Sequence, residues 1–174
     1  MCKLYLRVKR VLDIFFSVIM IMGLLPIFLL VALAIKFDSK GDVFFRQERL
    51  GKNGQIFVIY KFRTMVENAE NMGTGLFNYA DDFRVTRVGK FLRLTSIDEL
   101  PQLFNIVKGE MSFIGPRPPV TYELGNFEDL NAEYKNRFTI KPGVTGLAQV
   151  NGRNELSWDD KVKFDNLYIE QLKK

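Results

Sequence analysis

The sequence predicts an α+β fold: a small helix-rich cytosolic domain with a β-hairpin, anchored by an N-terminal re-entrant membrane segment of helix-break-helix form. Three observations lead there. Ile14–Ile35 runs for 22 residues without a charge. Two short alternating segments flank a Gly51-Lys52-Asn53-Gly54 turn, and later segments carry apolar residues at helical spacing. The division that follows is a membrane-associated hairpin at 1–35 and a cytosolic domain at 36–174.

Composition narrows the chemistry. Of 174 residues, 25 are basic and 20 acidic, a net charge of +5 that suits anionic partners without choosing among them. Cys2 is the single cysteine, so the chain cannot form an internal disulfide, which fits a cytosolic face. The chain has no histidine, which excludes Ser-His-Asp and Cys-His catalysis and argues against a transition-metal site. Carboxylates, hydroxyls, amines and a hard cation on oxygen ligands remain. The modest charge, with no zinc-ligand set and no RNA-binding aromatic motif, argues against nucleic acid.

For the apolar run a cleaved signal fits poorly: the run is long and no small-x-small site follows it. A straight helix of this length covers about 33 Å, enough to span a core of about 30 Å. Against a span stand Gly23 and Pro26 near its middle, since Pro26 removes a backbone hydrogen bond that Ser17 could help replace. Both flanks are basic, with Lys3, Arg7, Lys9 and Arg10 before and Lys36, Lys40, Arg46 and Arg49 after. The positive-inside rule puts both ends in the cytoplasm. Split at Pro26, the run gives arms of roughly 18 and 15 Å. On these residues the re-entrant hairpin is the favoured form, and the span stands as its alternative.

In the soluble part, Asp42–Arg49 and Gln55–Arg63 read as paired strands, because Asn-Gly favours a hairpin turn. Ile56, Val58, Tyr60 and Phe62 would share one face, leaving Lys61 and Arg63 together on the other. A helix is expected over Met65–Asn71, a loop over Gly73–Asp82 and a short helix over Val88–Leu94, with Arg84, Arg87, Lys90 and Arg93 forming a basic approach. Leu100, Leu103, Phe104 and Val107 predict an amphipathic helix that begins near Ser96–Glu99 and closes at Gly109. Two more follow, around Glu128–Arg137 and from Ser157, where Ser157-Trp158-Asp159-Asp160 has capping-box character.

Three clusters could carry chemistry. Asp98 and Glu99 either cap a helix, since Ser96 with Glu99 fits S-x-x-E, or act as nucleophile and magnesium ligand beside phosphate, with Arg93 near. Arg117 sits in Gly115-Pro116-Arg117-Pro118-Pro119, either a solvated turn or a stiffly presented phosphate fork. The glycines of Lys141–Arg153 are spaced for close backbone approach but match no Walker pattern.

Together these segments resemble the bacterial sugar transferase family, the monotopic polyprenyl-phosphate phosphoglycosyl transferases. The resemblance rests on six ordered motifs: Lys9-Arg10-Val11-Leu12-Asp13, Phe44–Gly51, Tyr60–Met65, Thr95–Gln102, Gly115-Pro116-Arg117-Pro118 and Lys141–Gly146. It implies transfer of a sugar phosphate from a UDP-sugar to undecaprenyl phosphate in glycoconjugate assembly, with UMP released. Asp98 would be the nucleophile and Glu99 its partner, both serving Mg²⁺. Arg93 and Arg117 would hold phosphate, with Lys61 and Arg63 nearby. It also implies the re-entrant form broken at Pro26, contact with membrane lipid and residence on the cytoplasmic face of the bacterial inner membrane. Neither the sugar nor the oligomeric state follows from it.

Overall fold

A computed structural model of the chain describes residues 3–72, 82–152 and 155–172. Its contacts divide the chain into two compact units, Met1–Ile19 with Gln47–Ile59 and Gln102–Lys174, and Met20–Arg46 with Tyr60–Pro101. Both units draw on the first helix, α1 (Lys3–Asp38), a 36-residue element with Pro26 inside it. By length and composition α1 could cross a membrane. The expected interruption at Pro26 is absent, because proline's fixed φ is itself helical and only one backbone bond is lost. Ser17 does not compensate: its hydroxyl is buried without a hydrogen-bond partner.

The expected hairpin is formed by β1 (Phe44–Leu50) and β2 (Ile56–Phe62). Its turn places Asn53 and Gly54 at φ 56° and 74°, the left-handed positions an Asn-Gly pair tolerates. The phase of β2 differs from expectation. Phe57 and Ile59 are buried and Ile56 is 59% exposed, yet Phe62 and Arg63 are both buried. The strict alternation thus fails near the end of β2, and Lys61 and Arg63 do not form one solvated basic face.

In the second unit Phe28, Ile35, Phe62 and Leu92 form a buried cluster, against which Leu24, Val31, Val43, Val88, Ile97 and Leu100 pack. The Phe62 ring lies 5.3 Å from that of Phe28 and 5.5 Å from that of Phe44. Helix α2 (Arg87–Thr95) is capped by Thr86, whose side chain accepts from Gly89 N at 3.0 Å. A Cβ at Gly89 would collide with the Thr64 carbonyl, so the glycine lets α2 lie against that backbone. The expected Met65–Asn71 helix is instead an antiparallel bridge, Met65 with Val85, followed by a 3₁₀ turn at Ala69–Asn71. Arg84 explains the change. Fully buried, it pairs with Asp82 at 2.6 Å and donates to the carbonyls of Ala69 and Met72, so it belongs to the interior and not to a basic approach. Most of the expected loop, 73–81, lies outside the described residues.

In the first unit α3 (Gln102–Lys108) closes at Gly109, whose φ of 93° is the left-handed cap expected of it. Two three-residue strands that alternation cannot reveal, β3 (Ser112–Ile114) and β4 (Gly143–Thr145), pair in parallel with Ser112 opposite Gly143. The Glu128–Arg137 helix shrinks to α4 (Ala132–Asn136) between 3₁₀ turns. After the short α5 (Leu147–Val150), α6 (Trp158–Gln171) begins at the expected Ser157 cap, which accepts from Asp160 N. Within the interior Asp165 of α6 receives Arg137 Nε at 3.0 Å and Nη2 at 2.9 Å, and the guanidinium also lies 5.0 Å from the Trp158 ring. At its amino end α1 is tied to this unit. Asp13 accepts from Ser112 Oγ at 2.8 Å, and Arg10 donates to the carbonyls of Ile106 and Val107 at the end of α3.

Two predictions test this packing. Gly89→Ala is expected to destabilise the fold by about 1–3 kcal/mol, as overpacking does, whereas Gly23→Ala, with open space around it, should be neutral or mildly stabilising. Thermal unfolding in detergent reads both. Burial pushes the Asp165 carboxyl up from 3.8 to about 6 against the pull of Arg137. The folded state therefore keeps a proton that the unfolded chain releases. The stability this carboxyl supplies is full below about pH 4 and is lost as pH rises to about 6. Asp165→Asn should lack that pH-dependent component; parallel wild-type and variant unfolding curves from pH 4 to 7 would contradict it.

Candidate active site

Asp98 and Glu99 sit together in a 3₁₀ turn, Ile97–Glu99, between α2 and α3. They do not open a helix as expected. Ser96 is already committed: it closes α2 with φ 57° and its N–H bonded to the Arg93 carbonyl, and its side chain caps nothing. The S-x-x-E pattern is therefore not a capping box here. Ile97 and Leu100, on either side of the dyad, are partly buried and pack against the cluster of Phe62 and Leu92, which holds the turn from beneath while both acids stay partly exposed.

Each acid faces a cation. Lys61 Nζ donates to Glu99 Oε1 at 2.8 Å from the end of β2. Arg93 lies close enough to Asp98 for their charges to interact, and its Nε donates to Thr64 Oγ1 at 2.9 Å. Burial lowers the Arg93 pKa from its ordinary value, while Asp98 and Asp82 oppose the shift; the guanidinium stays charged. A carboxylate pair bracketed by an ammonium and a guanidinium can accept a phosphate group that a bare pair would repel. Thr64, which steadies Arg93, was not singled out in the sequence, though it lies inside the Tyr60–Met65 motif.

Arg63 is employed differently. Its guanidinium donates to the carbonyls of Ser39, at 2.8 Å, and Lys40, securing the chain just beyond α1. It is buried, and its contacts support a structural role.

Arg117 belongs to the first unit. The carbonyls of its loop are tethered one after another: Pro116 accepts from Gly143 N, Arg117 from Arg137 Nη2, Pro118 from Arg49 Nη1 and Pro119 from Leu50 N, all at 2.9–3.1 Å. Gly115, Gly143 and Gly146 pack backbone to backbone, with no room for a Cβ at any of them. The expected close approach of the glycine-rich cluster is thus made onto the Arg117 loop. Proline stiffness was legible in advance; the supporting Arg49 and Arg137 were not, since nothing local marks an arginine that will bind a distant carbonyl.

Among the described residues no three acidic or other ligating side chains gather into a metal cage. Magnesium commonly takes one or two carboxylates and completes its shell with phosphate oxygens and water, so the adjacent pair fits an ion shared with a bound phosphate.

The chain is similar to known proteins along almost its whole length. The family described as bacterial sugar transferase matches residues 4–173. The galactosyl transferase CpsE of Streptococcus agalactiae is 45% identical over 96% of this chain. The UDP-glucose:undecaprenyl-phosphate glucose-1-phosphate transferase of Klebsiella pneumoniae is 44% identical over 92%. The exopolysaccharide production protein ExoY of Sinorhizobium fredii is 42% identical over 93%. The matches span 39%, 36% and 76% of these relatives respectively. With a match that runs almost end to end, the chain belongs to the bacterial sugar transferase family.

Proposed function

We propose that the chain is a phosphoglycosyl transferase that moves a sugar-1-phosphate from a UDP-sugar to undecaprenyl phosphate and releases UMP. The observation that carries this is the Asp98–Glu99 turn with Arg93 and Lys61 beside it, in a chain without histidine. A carboxylate oxygen of Asp98 attacks the sugar-linked phosphorus, a new P–O bond forms, and the bond to the second phosphate breaks as UMP leaves. A phosphate oxygen of undecaprenyl phosphate then attacks the same phosphorus and returns Asp98 as the carboxylate. Covalent catalysis lets an aqueous and a lipid substrate use one nucleophile in turn. Arg93 neutralises charge on the transferring phosphoryl group, and Arg117, on its tethered loop, is assigned to phosphate as well. Mg²⁺ held by Asp98 and Glu99 would supply further charge neutralisation when bound.

The re-entrant topology on the cytoplasmic face of the inner membrane belongs to the same proposal, with 1–35 as the membrane segment and 36–174 as the catalytic domain. Its support is that α1 is held within each unit by itself: Arg10 and Asp13 on 106–113 in the first, and Leu24, Phe28 and Ile35 on the cluster of Phe62 and Leu92 in the second. From Asp13 to Leu24 is about 16 Å of helix, half the thickness a full span needs. Pro26 lies inside this helix, which does not break there.

Four outcomes test the proposal. Enzyme given UDP-sugar and Mg²⁺ without lipid should release about one UMP per site, gain one phosphosugar mass on Asp98 and stall. Asp98→Ala should lose the adduct and at least roughly a thousandfold in turnover; an adduct on Glu99, or an active Asp98→Ala enzyme, would overturn the assignment. Arg117→Lys keeps the charge but loses the planar fork, so turnover should fall well below wild type in a folded protein. Cys2 and a cysteine at Asp42 should both resist an impermeant thiol reagent outside intact cells; labelling of one alone would indicate a span.

A further inference from the structure

The amino end of α1 brings together cations that the transfer reaction does not use. Lys9 is balanced by Asp13 at 3.4 Å, and Arg10 spends its donors on the Ile106 and Val107 carbonyls. Lys141 and Lys52 have no such arrangement. The Lys141 ammonium makes no hydrogen bond or ion pair with any described residue, although it is partly buried. It shares its surroundings with Arg10: a Cβ on Gly109 would lie 3.2 Å from Arg10 Nη2 and 3.5 Å from Lys141 Nζ. Burial lowers the Lys141 pKa, followed by the charges of Arg10 and Lys52, with only Asp13 set against them. Carbonyls at the end of α3 account for Arg10, but they leave a partly buried ammonium among like charges without a counter-ion.

The position of this cluster says what should fill it. Directly after Arg10, α1 turns outward a dense apolar surface, with Val11 65%, Phe15 56% and Phe16 50% exposed. If that surface is in hydrocarbon, the guanidinium one residue earlier and the ammonium beside it lie at the depth of lipid phosphates, where basic side chains gain most from an anionic leaflet.

We propose that Arg10, Lys52 and Lys141 form a binding site for the headgroup phosphate of an anionic membrane lipid. The site locks the amino arm of α1 to the bilayer surface. Its occupant is a structural lipid, chemically a phosphodiester, and not a reactant. The proposal rests on the membrane-embedded reading of α1 and is independent of the transfer reaction. UMP release is measured separately, so failure of one reading is distinguishable from failure of the other.

The test is lipid retention by the detergent-purified full chain, read by native mass spectrometry with phosphatidylglycerol or phosphatidylcholine supplied. Wild type is expected to retain phosphatidylglycerol preferentially. Lys52→Ala with Lys141→Ala should weaken that retention by about fivefold per cation removed, the scale of one basic residue at an anionic surface. Replacing both by arginine should keep it, and Lys163→Ala, on exposed α6 surface, should not affect it. Equal retention of the two lipids by wild type, or a double-alanine variant indistinguishable from wild type, would overturn the proposal. Inorganic phosphate is the second arm. If it displaces phosphatidylglycerol at concentrations comparable to the lipid's own, the site serves soluble anions and the lipid assignment fails.

Discussion

The position of the Asp98–Glu99 turn depends on the apolar cluster beneath it, and half of that cluster comes from α1. Phe28 and Ile35 of α1 meet Phe62 and Leu92, and Ile97 and Leu100 close over the same core on either side of the dyad. A helix that served lipid alone could vary freely in apolar sequence. This one must also present Leu24, Phe28, Val31 and Ile35, near-helical spacing along one stripe, to the turn that carries the acids. The long apolar helix is therefore part of the second unit's interior, and removing it would take away the contact between the Phe28 and Phe62 rings.

A different device holds Arg117. Prolines donate no backbone hydrogen bond, so a loop of three of them cannot secure itself, and its carbonyls need donors from elsewhere. Gly143, Arg137, Arg49 and Leu50 supply them in succession. The arginine donors come at a cost: Arg137 is buried and needs Asp165 to remain tolerable there. That chain of dependence runs from α6 through a buried ion pair to the backbone of a single residue. It gives the otherwise bland Asp165 and the glycines 115, 143 and 146 a common purpose.

What the sequence made legible was local. The Asn53-Gly54 turn, α2, the Gly109 cap and the Ser157 cap depend on neighbours within four residues, and all are present. What it hid was set by distant partners. Arg84 draws the carbonyls of Ala69 and Met72 to itself and leaves no room for the helix expected there. Arg63 follows the pleat in sequence but is claimed by Ser39 and Lys40. Ser96 fits a helix start, yet one residue cannot both end α2 with a left-handed φ and begin α3, and the preceding helix wins. The adjacency of Asp98 and Glu99 needed no such arbitration, so the acids were legible although their local structure was not.

The absence of histidine agrees with the proposed chemistry at the level of protons. An aspartate nucleophile and a phosphate acceptor are already anionic near neutral pH, so neither needs a general base. The barrier instead lies in bringing anions together, and cations answer it. Lys61 is informative here. Its bond to Glu99 is not fully buried: the two side chains are 15% and 20% exposed, so solvent reaches both groups. Breaking this pair, as a Mg²⁺ ion held at Glu99 would require, would cost less than breaking one shut off from solvent. A fully buried pair such as Arg84–Asp82 could not be opened so cheaply. The two ion pairs in this unit thus differ in how firmly they hold: one is sealed from solvent and the other is not.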